Sequence, residues 1–192
     1  KGFLRNDFVN FSFEGEMSFK PHFFFDLNIE PSSVNVKKLI SIIKQSFFSK
    51  ETQELEIIKK LNGLINFKNT YEGKVIFENK KIFFQNFHKN KNSPIFFNGK
   101  ISEFGKKGRI QFDLLKNTQN NVDSNKELKI SGFINPFSSK VNFEKMLFNE
   151  EIFTNEKIKV YEEKFTNDVI NNSLDNLFNE SKINNFLKDI EN

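Results

Sequence analysis

The chain has 192 residues, enough for one domain with a sizeable core; 37% are hydrophobic and 27 are phenylalanine. It contains no Cys, which excludes disulfides, thiolate chemistry and cysteine-based metal sites. The net charge of +4 divides unevenly: residues 1–143 carry 23 basic and 14 acidic side chains, residues 144–192 only 6 and 11. Arg, the residue that grips phosphate bidentately, occurs only as Arg5 and Arg109. The basic front is therefore read as lysines spaced singly along solvated strand faces. Abundant Lys, Asn, Phe and Ile follow from AT-rich codons, but codon bias does not set their order.

In chain order, strands are expected at 8–14, 16–20 and 22–30, where Gly15-Glu-Met-Ser-Phe19 alternates apolar with polar. After Pro31-Ser32-Ser33 the period changes. Val36, Leu39, Ile40, Ile43 and Phe47 step at helical spacing, with Lys37, Lys38 and Lys44 off the stripe. A second short helix is expected over 51–61, carrying Leu55, Ile58 and Leu61. The stretch NGLINFKNTYEGKVIFENKKIFFQNF (62–87) then repeats a phrase: Gly63 precedes Ile65 and Phe67, and Gly73 precedes Val75 and Phe77. Strands follow at 63–69, 73–79, 81–88, 95–104 and 108–115. The alternation starting at Gly99 slips by one residue before Phe104. Gly or Asn-rich joints between such runs are read as tight turns, and spacings of about ten residues between glycines as antiparallel strands joined by short hairpins. The polar stretch 116–126 is read as a loop, with strands at 127–134 and 139–144. From about 155 helical spacing returns in three groups: Ile158, Tyr161, Phe165 and Val169; Leu174, Leu177 and Phe178; Ile183, Phe186, Leu187 and Ile190. Ser173 and Ser181 are the expected N-caps. The fold class is mainly β with α: a curved antiparallel meander sheet with a helical insertion near 34–61 and C-terminal amphipathic helices. It divides into a sheet domain (1–154) and a helical segment (155–192).

Catalytic constellations are missing. His22 and His88 sit far apart in Phe-rich strands without a nearby carboxylate cluster, and the adjacent pairs Glu150-Glu151 and Glu162-Glu163 point apart. Gly105-Lys-Lys-Gly108 is too short for a phosphate loop and lacks the following Ser or Thr. The reading is of a protein that is not an enzyme and needs no cofactor or metal.

Three runs, Phe23-Phe24-Phe25, Ile82-Phe83-Phe84 and Ile95-Phe96-Phe97, are apolar on both strand faces. Either helices cover them, or one face lines an open hydrophobic trough. A trough of that kind suits an acyl chain, which gains roughly 0.8 kcal/mol per buried CH₂ with no polar contact.

The succession FKPHFFFDLNIEPSSVNVKKLISII (19–43) followed by LNGLINFKNTYEGKVIFENKKIFFQNF (61–87) resembles the AsmA-like proteins of Gram-negative envelopes, the AsmA, TamB and YhdP type, over about residues 8–145. The resemblance implies a repeating β-groove, a strongly curved sheet with a hydrophobic channel for phospholipid. It also implies a periplasmic place on an inner-membrane anchor upstream of this chain. It carries no catalytic residues. What it transfers is strand parity, giving Phe11, Phe13, Met17, Phe19, Ile65, Phe67, Val75, Phe77, Ile110 and Phe112 as candidate lipid-binding wall. Opening on Lys1 fits a section of a longer groove, and the acidic helices at 155–192 would be its plug or the docking element for an envelope partner.

Three readings stay open: a lipid-handling envelope module, a basic β-domain binding single-stranded nucleic acid through neighbours such as Phe19-Lys20 and Phe67-Lys68, and a structural β-repeat domain. Scarce arginine argues against nucleic acid as a partner.

Overall fold

The structure, a computed structural model, describes residues 1–20, 23–49, 60–89, 92–119, 125–171 and 173–191. Eleven strands form one sheet in strict chain order: β1 (Gly2–Arg5), β2 (Val9–Ser18), β3 (Phe24–Val34), β4 (Asn62–Phe67), β5 (Glu72–Glu78), β6 (Lys81–His88), β7 (Ile95–Glu103), β8 (Arg109–Gln119), β9 (Asn125–Asn135), β10 (Lys140–Phe148) and β11 (Glu151–Ile152). The fold is mainly β with α, and the sheet is curved and unclosed. The meander is interrupted once. β3 pairs with β4 in parallel, so the chain between them is a crossover that carries helix α1 (Val36–Ile43) and a π-helical turn (Lys44–Phe48). The helix expected over 51–61 lies outside the described residues apart from its last two positions.

The sequence reading needs correction at several turns. Residues 8–14 and 16–20 are not two strands, because Gly15 lies inside β2 directly opposite Leu27. Gly15 has φ +153°, and a Cβ there would sit 2.0 Å from the Asp26 carbonyl oxygen. Glycine serves a close strand approach there, not a reversal. Gly63, Gly73, Gly99 and Gly132 also lie within strands. The β7–β8 reversal does use a glycine, Gly105 (φ 84°), but two hairpins use asparagine, which tolerates the left-handed region. Asn79-Lys80 (φ 49° and 62°) and Asn149-Glu150 (φ 49° and 71°) are two-residue hairpin loops of the type that matches strand twist. Lysine has no such tolerance. Lys80→Gly is expected to stabilise the protein by about 0.5–1 kcal/mol, net of the glycine's added freedom in the unfolded chain. Differential scanning calorimetry should show a Tm raised by roughly 2–3 °C.

Two edge strands, β1 and β11, escaped the reading because each is too short to show alternation. The expected loop at 116–126 is narrower than read, since β8 runs on to Gln119 and β9 begins at Asn125.

Curvature has a local source. Register shifts mark bulges at Asn10/Phe11, within β6 between Phe84 and Phe87, at Ile101/Glu103 and at Phe143/Lys145. An extra residue bends a strand and sharpens its twist. In β6 the bulge contains Asn86 (φ 49°), whose amide donates to Asn98 Oδ1 across the pair (2.8 Å).

One sheet face, here called inner, carries the helices. Helix α1 starts where the Asn35 amide donates to the Phe8 carbonyl (2.7 Å) and Lys38 Nζ meets Asp7 (3.1 Å). A hydrogen bond from that ammonium holds the Asp7 carboxyl below its usual range. The π-helical turn ends where the Gly105 amide donates to the Phe47 carbonyl (2.8 Å), so this segment crosses from the β1–β2 connection to the β7–β8 connection. The sequence stripe ran through Phe47, but Phe48 is the fully buried ring. The wider π turn rotates the next residue inward.

Helix α2 (Asn155–Lys164) is capped by Thr154 and runs into a second π-helical stretch (Phe165–Ile170); a 3₁₀ turn (Leu174–Phe178) and helix α3 (Glu180–Glu191) follow. Ser173 occupies a cap position without a side-chain bond, and Asn179, not Ser181, caps α3 by accepting the Lys182 amide (3.3 Å). These C-terminal helices share one core with β8–β10, built from residues such as Ile130, Phe143, Met146, Val169, Phe186 and Leu187. The 155–191 segment is thus a second layer of the same fold.

Candidate functional site

Residues directly opposite in neighbouring strands project from the same sheet face, so register alone fixes which side chains share the inner face. Leu4 stands opposite Phe11, Phe13 opposite Ile29, and Met17 opposite Phe25. Across the parallel pair Leu27 meets Ile65 and Ile29 meets Phe67; beyond it Ile65 meets Val75, and Phe77 meets Ile82. The row continues through Ile101 and Ile110 to Ile134 and Val141. All nine strand members of the ten-residue candidate wall therefore lie on one continuous apolar face. Phe19, just past the end of β2, follows the same parity and touches Phe23 (5.4 Å between ring centres).

Aromatic rings trace this face almost from end to end. Phe19, Phe23, Phe25 and Phe77 form one run at 5.4–5.7 Å. Phe84, Phe97, Phe112 and Phe143 form a second at 6.2–6.4 Å, which passes into the helices at Phe165.

The doubly apolar runs resolve simply. Ile82 and Phe84 face inward, while Phe83 faces outward opposite Ile76, itself opposite Leu64. These three form a half-buried cross-strand patch on the outer face.

Cover is uneven along the inner face. Over β8–β10 the C-terminal helices seal it, and Phe112 belongs to their core. Over β5–β7 the segment ending in Phe48 seals it, with Val75 buried and Ile65, Phe67, Phe77 and Ile110 packed alongside. At the β1–β2 end the face opens: Phe11 and Phe13 are half-buried, Leu4 is 40% exposed, Met17 53% and Phe19 74%, whereas Phe25 and Ile29 of β3 are buried. Val75 and Phe112 thus serve the protein's own core, and the accessible part of the expected wall is centred on Phe11, Phe13, Met17 and Phe19. It is an open face rather than an enclosed cavity. The clefts of ≈ 520 and ≈ 380 Å³ lie elsewhere, between α1 and the 174–181 region, and are lined mainly by polar groups such as Lys89, Asn176, Glu180 and Gln45.

Sequence gave His88 no carboxylate neighbour, but β5–β6 pairing brings Glu72 to 3.7 Å from Nε2, while Nδ1 meets the Asn86 carbonyl (2.8 Å) and the ring lies against Phe96. His22 lies outside the described residues. Among the described residues no group of three His, Asp or Glu side chains is placed to hold a metal ion, and no helix is long and apolar enough to cross a membrane.

Sequence reasoning missed two polar anchors of the helical cover. Lys116, in the supposed loop, is buried on the inner face with Nζ 2.6 Å from Glu191 Oε1. Glu162 of α2 accepts the Phe143 amide (2.7 Å) beside the β10 bulge. The first signal was available: Lys116 continues the inner parity of Ile110, Phe112 and Leu114. No family model, no characterised protein and no solved structure matches this chain.

Proposed function

We propose that this chain is a non-enzymatic lipid-binding module that holds acyl chains on the open inner face of its curved sheet, in the manner of AsmA-like envelope proteins. The reading rests on one observation: a single apolar face, continuous by register across ten strands, is covered by the protein's own helices at one end and exposed at the other. Exposed apolar surface of this kind marks a binding site rather than a fold requirement. The exposed members of this face lie on β1, β2 and just beyond, at Leu4, Met17 and Phe19. An acyl segment laid across them would gain about 0.8 kcal/mol for each CH₂ it buries. On that resemblance the module would sit in the periplasm on an inner-membrane anchor and carry phospholipid between membranes.

Native mass spectrometry of protein released under mild conditions tests this reading. Wild type is expected to carry phospholipid. Phe13→Asp combined with Met17→Asp should lose it while the far-ultraviolet circular dichroism is retained, and Ser12→Asp, on the outer face, should keep it. A wild-type protein that emerges empty and takes up no fluorescent fatty-acid probe refutes the proposal. Salt-sensitive retention on single-stranded DNA without lipid would favour the nucleic-acid reading instead.

A further inference from the structure

Strand ends form two long lips beside the inner face. Register places the β2–β3, β5–β6, β7–β8 and β9–β10 connections, and the start of β4, on one of them. This first lip is basic at every step. The β2–β3 connection contributes Lys20, the approach to β4 Lys60, and the β5–β6 hairpin Lys80 and Lys81. The β7–β8 connection adds Lys106, Lys107 and Arg109, and β10 begins with Lys140. Against these eight cations, the described residues of the same connections carry only Glu78 and Glu103. The second lip is mixed: its fully described connections carry Arg5 and Lys68 with Asp7, Glu72, Glu150 and Glu151, the start of α1 adds Lys37 and Lys38, the latter paired with Asp7, and the β6–β7 connection adds Lys89. The front's positive charge is therefore concentrated along one line.

Aromatic tips interrupt the same line. Phe19 (74% exposed) adjoins Lys20, and Phe24 (48%) begins β3. At the far end Phe137 (45%) projects from the β9–β10 turn, with Lys106 Nζ 5.5 Å from its ring centre. Packing cannot account for exposed rings at both ends of a lysine row. Lysine stems and phenylalanine rings together suit an interface with an apolar interior and anionic headgroups. Single-stranded nucleic acid would favour arginine and rings grouped in one groove, whereas these rings stand at opposite ends of the lip.

We infer that this lip docks the protein on an anionic phospholipid surface, with Phe19 and Phe137 inserting at its ends and the lysines lying along the headgroups. The inference stands apart from whether the inner face holds an acyl chain, although docking would set the open end, at Met17 and Phe19, against the bilayer.

Vesicle flotation tests it with phosphatidylcholine alone and with phosphatidylglycerol mixed in. Wild type is expected to float with the anionic vesicles, to be released by salt, and to ignore the neutral ones. Lys20→Glu/Lys107→Glu/Lys140→Glu should weaken binding by about tenfold or more. Phe19→Ser/Phe137→Ser should weaken it as well. Lys37→Glu/Lys68→Glu/Lys74→Glu, the same charge change on exposed residues away from the lip, should leave it intact. The inference is overturned if wild type ignores anionic vesicles or binds neutral ones equally, if either lip variant binds normally, or if the displaced-charge variant fails equally. Binding to a single-stranded oligonucleotide as tight as to anionic vesicles would overturn it too. Every substituted side chain is exposed, and circular dichroism establishes that each variant folds. Because this assay reads docking and native mass spectrometry reads lipid retention, the two ideas fail separately.

Discussion

Replacing Phe186 by alanine is expected to cost about 3–5 kcal/mol, a large effect for truncating one apolar side chain. The ring is 2% exposed and lies 4.9 Å from Phe165, 6.3 Å from Phe143 and 6.4 Å from Tyr161, centre to centre. It therefore joins α3 to α2, to the π-helical stretch and to β10 at once. Removing it opens a void between three elements that cannot collapse together, because each is fixed by its own backbone bonds. Domains of this size are stable by only about 5–15 kcal/mol, so the variant should lose roughly a fifth of the total or more. Urea unfolding should show a lower midpoint with an unchanged slope, because the surface exposed on unfolding is the same. Phe178→Ala is the contrast. That ring is 43% exposed at the end of the 3₁₀ turn, and its loss should cost well under half as much. If Phe186→Ala instead produced a separate early transition, with the sheet melting later, the helical layer and the sheet would be two cooperative units rather than one.

This shared core also separates what the sequence could reveal from what it could not. Alternation fixed the face of almost every strand, because a half-buried strand writes its parity directly into polarity. Even the bulges left a trace: the slip between Ile101 and Phe104 is the β7 bulge, and the three-residue step from Phe84 to Phe87 is the bulge at Asn86. Turn chemistry was legible in part: the Asn-rich joints are turns, but glycine does two jobs. In this chain its dominant job is close packing, as where a Cβ on Gly63 would fall 2.4 Å from the Phe25 carbonyl oxygen, and asparagine takes left-handed turns. The parallel β3–β4 pair was invisible, since both strands alternate identically whichever way they pair. The candidate wall fared similarly. Its members share a face as parity required, but Val75 and Phe112 lie under helices while Met17 and Phe19 do not. That difference depends on where distant helices dock, and no local pattern encodes it.

Glu191→Ala should destabilise the protein by about 3–5 kcal/mol, far more than loss of an ordinary surface carboxylate, because it strands the buried Lys116 ammonium. The Lys116 side chain is 5% exposed and that of Glu191 16%, with 2.6 Å between Nζ and Oε1. A carboxylate in the last turn of a helix is disfavoured by the helix dipole. Its placement at the end of α3 makes sense only against the lysine it meets. By contrast, the exposed Lys164–Asp189 pair between α2 and α3 (2.7 Å) carries little weight. The hydrogen bond that Lys164 donates to Asp189 raises the Lys164 pKa, yet water screens both groups. The decisive comparison is Lys116→Met/Glu191→Met. Removing both charges and filling the site with apolar volume should restore wild-type stability or exceed it, since desolvating the two ions offsets most of their attraction. A double-mutant cycle from urea midpoints gives the coupling directly. If Glu191→Ala costs less than about 1 kcal/mol, Lys116 has found water or another partner, and α3 is held to the sheet by apolar packing alone.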